Sequence, residues 1–139
     1  MQIPEKIVFD AEPLVAHADD ESGGKTVERW LDAVSVDDSK GYVNHVNLAE
    51  TRYILARKYS QDVANEYIEW LLDIGVRVVD SESVWVEASN YILDYNPALG
   101  DSFALATAEE RGATLLVGAD DDYDGISRVS IERFREEPA

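Results

Sequence analysis

Apolar residues recur along the chain in two alternating rhythms. Short unbroken runs at Lys6–Phe9, 41–44, 76–79 and Thr114–Val117 have the length and β-branched content of buried strands. Between them apolar residues fall three or four apart, the spacing of one helix face. Pro13 leads into a short helix over 14–18, and Val27, Trp30, Leu31 and Val34 predict one over 26–34. Leu48, Leu55 and Tyr59 mark a longer helix over 47–59 with Glu50 in its first turn. Ser60 or Asp62 caps the next, whose stripe is Val63, Tyr67, Trp70, Leu71 and Ile74. Asp80 or Ser81 opens a helix through Val84, Ala88, Tyr91 and Tyr95, which Asn96-Pro97 ends. A last helix begins at Asp101, where a carboxylate accepts free backbone N–H groups, and stops at Gly112. Residues 128–131 read as an edge strand, and 134–139 as a frayed acidic tail.

Strands alternating with helices predict an α/β fold, a mainly parallel central sheet covered by helices on both faces. With 139 residues and neither linker nor repeat, residues 1–139 are expected to form one domain. No apolar run nears the roughly 20 residues of a membrane span, and the N-terminus lacks the apolar stretch of a signal peptide, so a cytoplasmic location is expected.

Charge changes the picture. The net charge is −17, from 29 acidic residues against four Lys and eight Arg. Self-repulsion on this scale opposes folding unless salt screens it, which suggests the cytosol of a halophilic archaeon. A basic partner or mimicry of nucleic acid are the alternatives. Cysteine is absent, which excludes disulfides, zinc–thiolate sites and a thiol nucleophile. There is no phosphate-cradling glycine loop and no serine in a nucleophile elbow.

Acids remain, and the topology aims them at four points of one edge. Asp10 ends the first strand, and Glu50 follows the second. Asp101 precedes the Thr114–Val117 strand, while Asp120 and Asp122 follow it. In a parallel sheet all of these reach the C-terminal edge, where ligands bind. Crowded carboxylates repel, and the arrangement becomes favourable with a divalent cation such as Mg²⁺ or Mn²⁺. Such ions activate water and stabilise an in-line phosphodiester displacement. Taken singly each acid has a plainer reading: Asp10 a strand-end cap, Glu50 a solvated helix residue, Asp120 and Asp122 an acidic turn, Asp121 mere surface charge. His17 and His45 read as packing or surface residues, because neither has a second His at ligand spacing. Arg52, Arg57 and Lys58 read as solvated helix charge, with phosphate steering as the alternative.

Four blocks carry a family resemblance: Val8-Phe9-Asp10-Ala11-Glu12, Val46-Asn47-Leu48-Ala49-Glu50, Leu99-Gly100-Asp101-Ser102-Phe103-Ala104-Leu105-Ala106 and Gly118-Ala119-Asp120-Asp121-Asp122-Tyr123. In order and spacing they resemble the acidic motifs of PIN domains, over nearly the whole chain and at the length of VapC-type toxins. The resemblance implies a three-layer α/β/α sandwich and Mg²⁺- or Mn²⁺-dependent RNA cleavage. It also implies homodimers and a small antitoxin whose Arg-bearing tail blocks the site. By position, Asp10, Glu50, Asp101 and Asp120 match the acidic set, with Asp122 as a variable fifth member. Glu12 departs from the pattern where a small polar residue is frequent, and Asn44 where Ser or Thr is common. A solitary PIN nuclease of RNA processing, or a non-catalytic acidic binding domain, are the alternatives.

Overall fold

In the computed structural model, which describes residues 2–137, the strands form one five-stranded sheet, all parallel. They are β1 (Lys6–Phe9), β2 (Lys40–Asn44), β3 (Arg77–Val79), β4 (Thr114–Val117) and β5 (Ile131–Arg133). Their spatial order is β3-β2-β1-β4-β5. The chain therefore runs outward from β1 in one direction and returns to start again on its other side. That reversal opens a crevice between the C-terminal ends of β1 and β4, the usual place for a ligand in such a sheet.

Six α-helices cover the sheet: α1 (Ala11–Ala18), α2 (Gly24–Ser35), α3 (His45–Lys58), α4 (Gln61–Asp73), α5 (Trp85–Tyr95) and α6 (Leu99–Arg111). Alternate strand residues feed two cores. Ile7, Phe9, Val43 and Leu116 meet Leu14 of α1, Val27, Trp30 and Leu31 of α2, and Leu71 of α4. Val8, Tyr42, Leu115 and Val117 meet Val84, Ala88 and Tyr91, then Ala104, Leu105 and Ala108 of α6. Ile7, Val8 and Phe9 are fully buried, each worth about 1.5–3 kcal/mol of transfer free energy. The central strand thus anchors both layers and holds Asp10 at its end.

Several boundaries differ from the sequence reading, each through capping chemistry. Helix α3 starts at His45, because the Asn44 side chain accepts from Val46 N at 2.8 Å. Glu50 therefore lies in the second turn, not the first. Ser60 rather than Asp62 caps α4, accepting from Val63 N at 3.1 Å. Asp80 caps a 3₁₀ turn over Ser81–Ser83, which delays α5 to Trp85. Helix α6 starts at Leu99, with Ala98 at the cap position, so Asp101 sits within the first turn and does not cap it. Gly112 ends α6 with φ of +60°, a left-handed conformation suited to glycine.

The last strand is Ile131–Arg133, three residues beyond the expected start. The segment after it does not fray at once: Phe134 is buried in the core against Gly23, and Arg135 is held by two carboxylates. Pro138 and Ala139, the end of the expected tail, lie outside the described residues. Among the described residues no helix is long and apolar enough to cross a membrane.

Candidate active site

The crevice edge collects the acids. Asp10, Glu50, Asp101 and Asp120 line one open cavity of about 310 Å³, together with Glu12, Glu21 and Arg135. Each comes from a different element. Asp10 is the N-cap of α1, and its Oδ1 accepts from Ala11 N at 2.8 Å. Glu50 projects from α3 and Asp101 from α6, helices whose N-terminal turns lie at this edge and which run away from it. Asp120 leaves β4 and caps a 3₁₀ turn over Asp121–Tyr123, its Oδ1 accepting from Asp122 N at 2.9 Å.

Asp10 is 5% exposed, and burial pushes its carboxyl up to about 7. Hydrogen bonds from Tyr123 and Ala11 oppose that rise, and the charges of Glu50 and Glu12 add to it. Asp101 is pushed up to about 8, first by burial and then by the charge of Asp10. Burial raises Glu50 as well, against the hydrogen bond from Asn47. All three carboxylates thus stand ready to lose protons to a cation.

Asp101 was expected to accept free backbone N–H groups at the start of its helix. Instead its Oδ2 is buried with no hydrogen-bond partner. Asp122 ties down the entry to α6 in its place, its Oδ2 accepting from Ala98 N at 2.9 Å. An unsatisfied buried oxygen in a native fold calls for an explanation, and an ion is one of the few that satisfy it. One oxygen each from Asp101, Asp120 and Asp122 lie within 4.8 Å of one another. A donor set made only of carboxylate oxygens fits a hard divalent cation of the Mg²⁺ or Mn²⁺ class.

Other residues hold this set in place. Asn47, fully buried, directs its Nδ2 at Glu50 Oε1 (3.0 Å), the Gly100 carbonyl (3.0 Å) and Asp10 Oδ1 (3.4 Å). The Tyr123 hydroxyl donates to Asp10 Oδ2 at 2.8 Å. Arg133 donates to the carbonyls of Gly118 (2.6 Å) and Asp120 (2.9 Å), pinning the loop after β4. Asn44, fully buried, joins α3 to α6 through Thr107 Oγ1 at 3.1 Å. A Cβ at Gly100 would collide with the Glu50 carboxylate, and one at Gly118 with that of Glu12. Both glycines therefore make room for an acid.

Of these, Asn44 is the departure from the family pattern noted in the sequence, and Asn47 stands three residues before Glu50 on one helix face, a spacing that could have marked it. Tyr123 closes the acidic block at Asp120, but its reach to Asp10 is not visible there; Arg133 and Arg135 come from beyond it, and no local pattern marks them. His17 packs as expected, sharing a 2.9 Å hydrogen bond with the Tyr67 hydroxyl and stacking on Trp70. Lys58 pairs with Asp19 and Glu21, Arg52 with Asn65, and Arg57 lies over the Tyr53 ring. None of the three lines the cavity.

The PIN domain family model matches residues 7–129, which span every acid of the cluster. The chain belongs to the PIN domain family. Solved structures of similar shape include VapBC2 from Rickettsia felis bound to a promoter DNA fragment, with a TM-score of 0.70 and 12% identity. That alignment covers 92% of this chain and 98% of the other. A toxin–antitoxin complex from Klebsiella pneumoniae gives 0.68 at 19% identity, covering 88% and 94%. VapC20 from Mycobacterium tuberculosis, a toxin that cleaves the sarcin–ricin loop, gives 0.68 at 16% identity, covering 89% and 98%. At these identities the likeness is one of PIN fold. Comparison with curated proteins by sequence gives no match.

Proposed function

We propose that this PIN domain is a Mg²⁺- or Mn²⁺-dependent endoribonuclease, the toxin of a toxin–antitoxin pair, with residues 1–139 acting as one unit. The observation that carries the reading is the meeting of Asp10, Glu50, Asp101 and Asp120 around one cavity, with a buried and unpartnered oxygen on Asp101. Bound there, a divalent cation would supply an activated water and charge stabilisation for phosphodiester hydrolysis. Asp101, Asp120 and Asp122 are the proposed inner ligands, and Asp10 and Glu50, which line the same cavity, complete the set. The chain's own part is to hold these oxygens against their mutual repulsion, through Asn47, Tyr123 and Arg133.

The toxin reading draws on the VapC and VapBC structures of like fold. A small antitoxin would place an Arg among Asp10, Glu50, Asp101 and Asp120, because a guanidinium pairs bidentately with carboxylates and would exclude the cation. A homodimer belongs to the same reading, and exposed Trp85, Val86 and Leu93 of α5 offer apolar area for it. The charge of −17 supports a cytosol rich in salt.

The deciding experiment is cleavage of single-stranded or looped RNA in Mn²⁺, with end mapping, by the wild type and Asp101→Asn. A folded Asp101→Asn variant that cuts at the wild-type rate would remove Asp101 from the ligand set and sink the assignment. A wild type that cuts no RNA would favour a non-catalytic binding domain.

A further inference from the structure

Among the described residues one cation lines the acidic cavity, and it comes from the segment after β5. Arg135 follows β5, and its side chain is only 10% exposed. Its Nε and Nη2 donate to Glu12 Oε2 at 3.3 and 3.1 Å, and its Nη1 donates to Glu21 Oε1 and to the Ser22 carbonyl, both at 3.1 Å. The buried Phe134 ring lies beneath the guanidinium, 4.7 Å from its carbon to the ring centroid. A guanidinium has five N–H donors. The contacts above engage both N–H groups of Nη1, the Nε–H and one of Nη2, which leaves one Nη2 donor uncommitted on a residue that lines the cavity.

A simple clasp for the tail would need only one of these carboxylates. Glu12 also accepts from Ala119 N at 3.3 Å, beside Asp120, and Gly118 makes room for it. The guanidinium is thus oriented relative to the loop that holds Asp120. Other basic residues are committed elsewhere. Arg133 is spent on the carbonyls of Gly118 and Asp120. Arg128 joins Glu87, Asp94 and Glu109, and lines a separate cavity. Lys58, outside the cavity, is committed to Asp19 and to Glu21. Among the described residues that line this cavity, a polyanion therefore meets six carboxylates and a single fixed positive group.

We propose that Arg135, oriented by Glu12 and Glu21, contacts a phosphate flanking the cleaved bond and so positions the RNA strand. The proposal rests on the ribonuclease reading above. The phosphate is a flanking one, because Arg135 is held by Glu12 and Glu21 and donates to none of the Asp101–Asp120–Asp122 carboxylates, where the reacting phosphate would lie. Charge-assisted Arg–phosphate hydrogen bonds are among the strong ones, and the planar fork fixes direction as well as affinity.

The test uses the full chain with Mn²⁺ and a short RNA of mapped cleavage site, made with single neutral methylphosphonates at each flanking position. Arg135→Ala is expected to raise KM about ten- to a hundredfold, the worth of one charge-assisted contact, with kcat changed far less and Mn²⁺ uptake in calorimetry unaltered. One neutral position should raise the wild-type KM by a similar factor and leave that of Arg135→Ala unchanged. Arg135→Gln, which keeps a hydrogen bond to Glu12 without the charge, serves as the second variant should the alanine form not fold. It should show the same insensitivity to the neutral position. Wild-type cleavage with equal methylphosphonate penalties in wild type and variant overturns the proposal and leaves the nuclease reading standing. A wild type that cuts none of these RNAs overturns both.

Discussion

The hydroxyl of Tyr123 donates to Oδ2 of Asp10 at 2.8 Å, although 113 residues separate the two in the chain. The contact joins the end of β1 to the turn after β4, across the crevice itself. It supports the charged form of Asp10 against burial, which pushes the carboxyl up to about 7. Tyr123→Phe should therefore cost about 1 kcal/mol of stability and raise the Asp10 pKa further. Mn²⁺ binding followed by calorimetry across pH should begin at higher pH in the variant. An unshifted binding profile would mean that Tyr123 only packs.

Asp10 and Asp101 also set a pH dependence of stability. Burial pushes their folded carboxyls up to about 7 and about 8, from an ordinary 3.8. Between these limits the folded chain holds more protons than the unfolded one, so stability falls as pH rises. In metal-free buffer the melting temperature should decline from about pH 5 to pH 8, and Mn²⁺ should restore it at the upper end. Asp101→Asn should flatten the decline and melt higher than wild type at pH 8 without metal. A metal-free melting temperature that rises over this range would contradict the buried, crowded state of these acids.

Gly100 makes room for the Glu50 carboxylate and offers its carbonyl to Asn47. Gly100→Ala should swing Glu50 away while leaving both cores intact. The expected result is a loss of roughly ten- to a hundredfold in metal affinity, the scale seen when a ligand's support is removed. Circular dichroism should be unchanged. Wild-type Mn²⁺ affinity in Gly100→Ala would place Glu50 outside the ligand set.

Salt gives the fourth test. At about 0.1 M the Debye length is roughly 10 Å, and at 1 M roughly 3 Å. Molar KCl should hide most of the −17 charge, raise the melting temperature strongly, and let cleavage of RNA rise or persist. Nucleic-acid binding ordinarily weakens with salt through counterion release from phosphates met by Lys and Arg, and here one fixed Arg faces the cavity. Greatest stability and activity near 0.1 M KCl would remove the high-salt interpretation and leave a bound basic partner as the cause of the acidic surface.

The sequence by itself determined the layer order and the edge at which the acids gather. Strand runs and helix stripes are local patterns, and parallel connectivity sends every strand end to the same side. Asp10, Glu50, Asp101 and Asp120 could therefore be assigned to one edge before any contact was known, and the cavity brings them together there. Tertiary structure alone decided how that edge is held. The position after Gly100 suits Asp101 as a helix cap, but Ala98 takes the cap position and Asp122 ties the entry, which leaves Oδ2 of half-buried Asp101 buried without a partner. The segment from Phe134 looked like a frayed tail because its composition is polar. One buried ring and two distant glutamates order its first two residues, Phe134 and Arg135. Local pattern reports burial along one element. The partners of a charge are chosen by chain segments more than a hundred residues apart, and only the packed sheet brings them within hydrogen-bond reach.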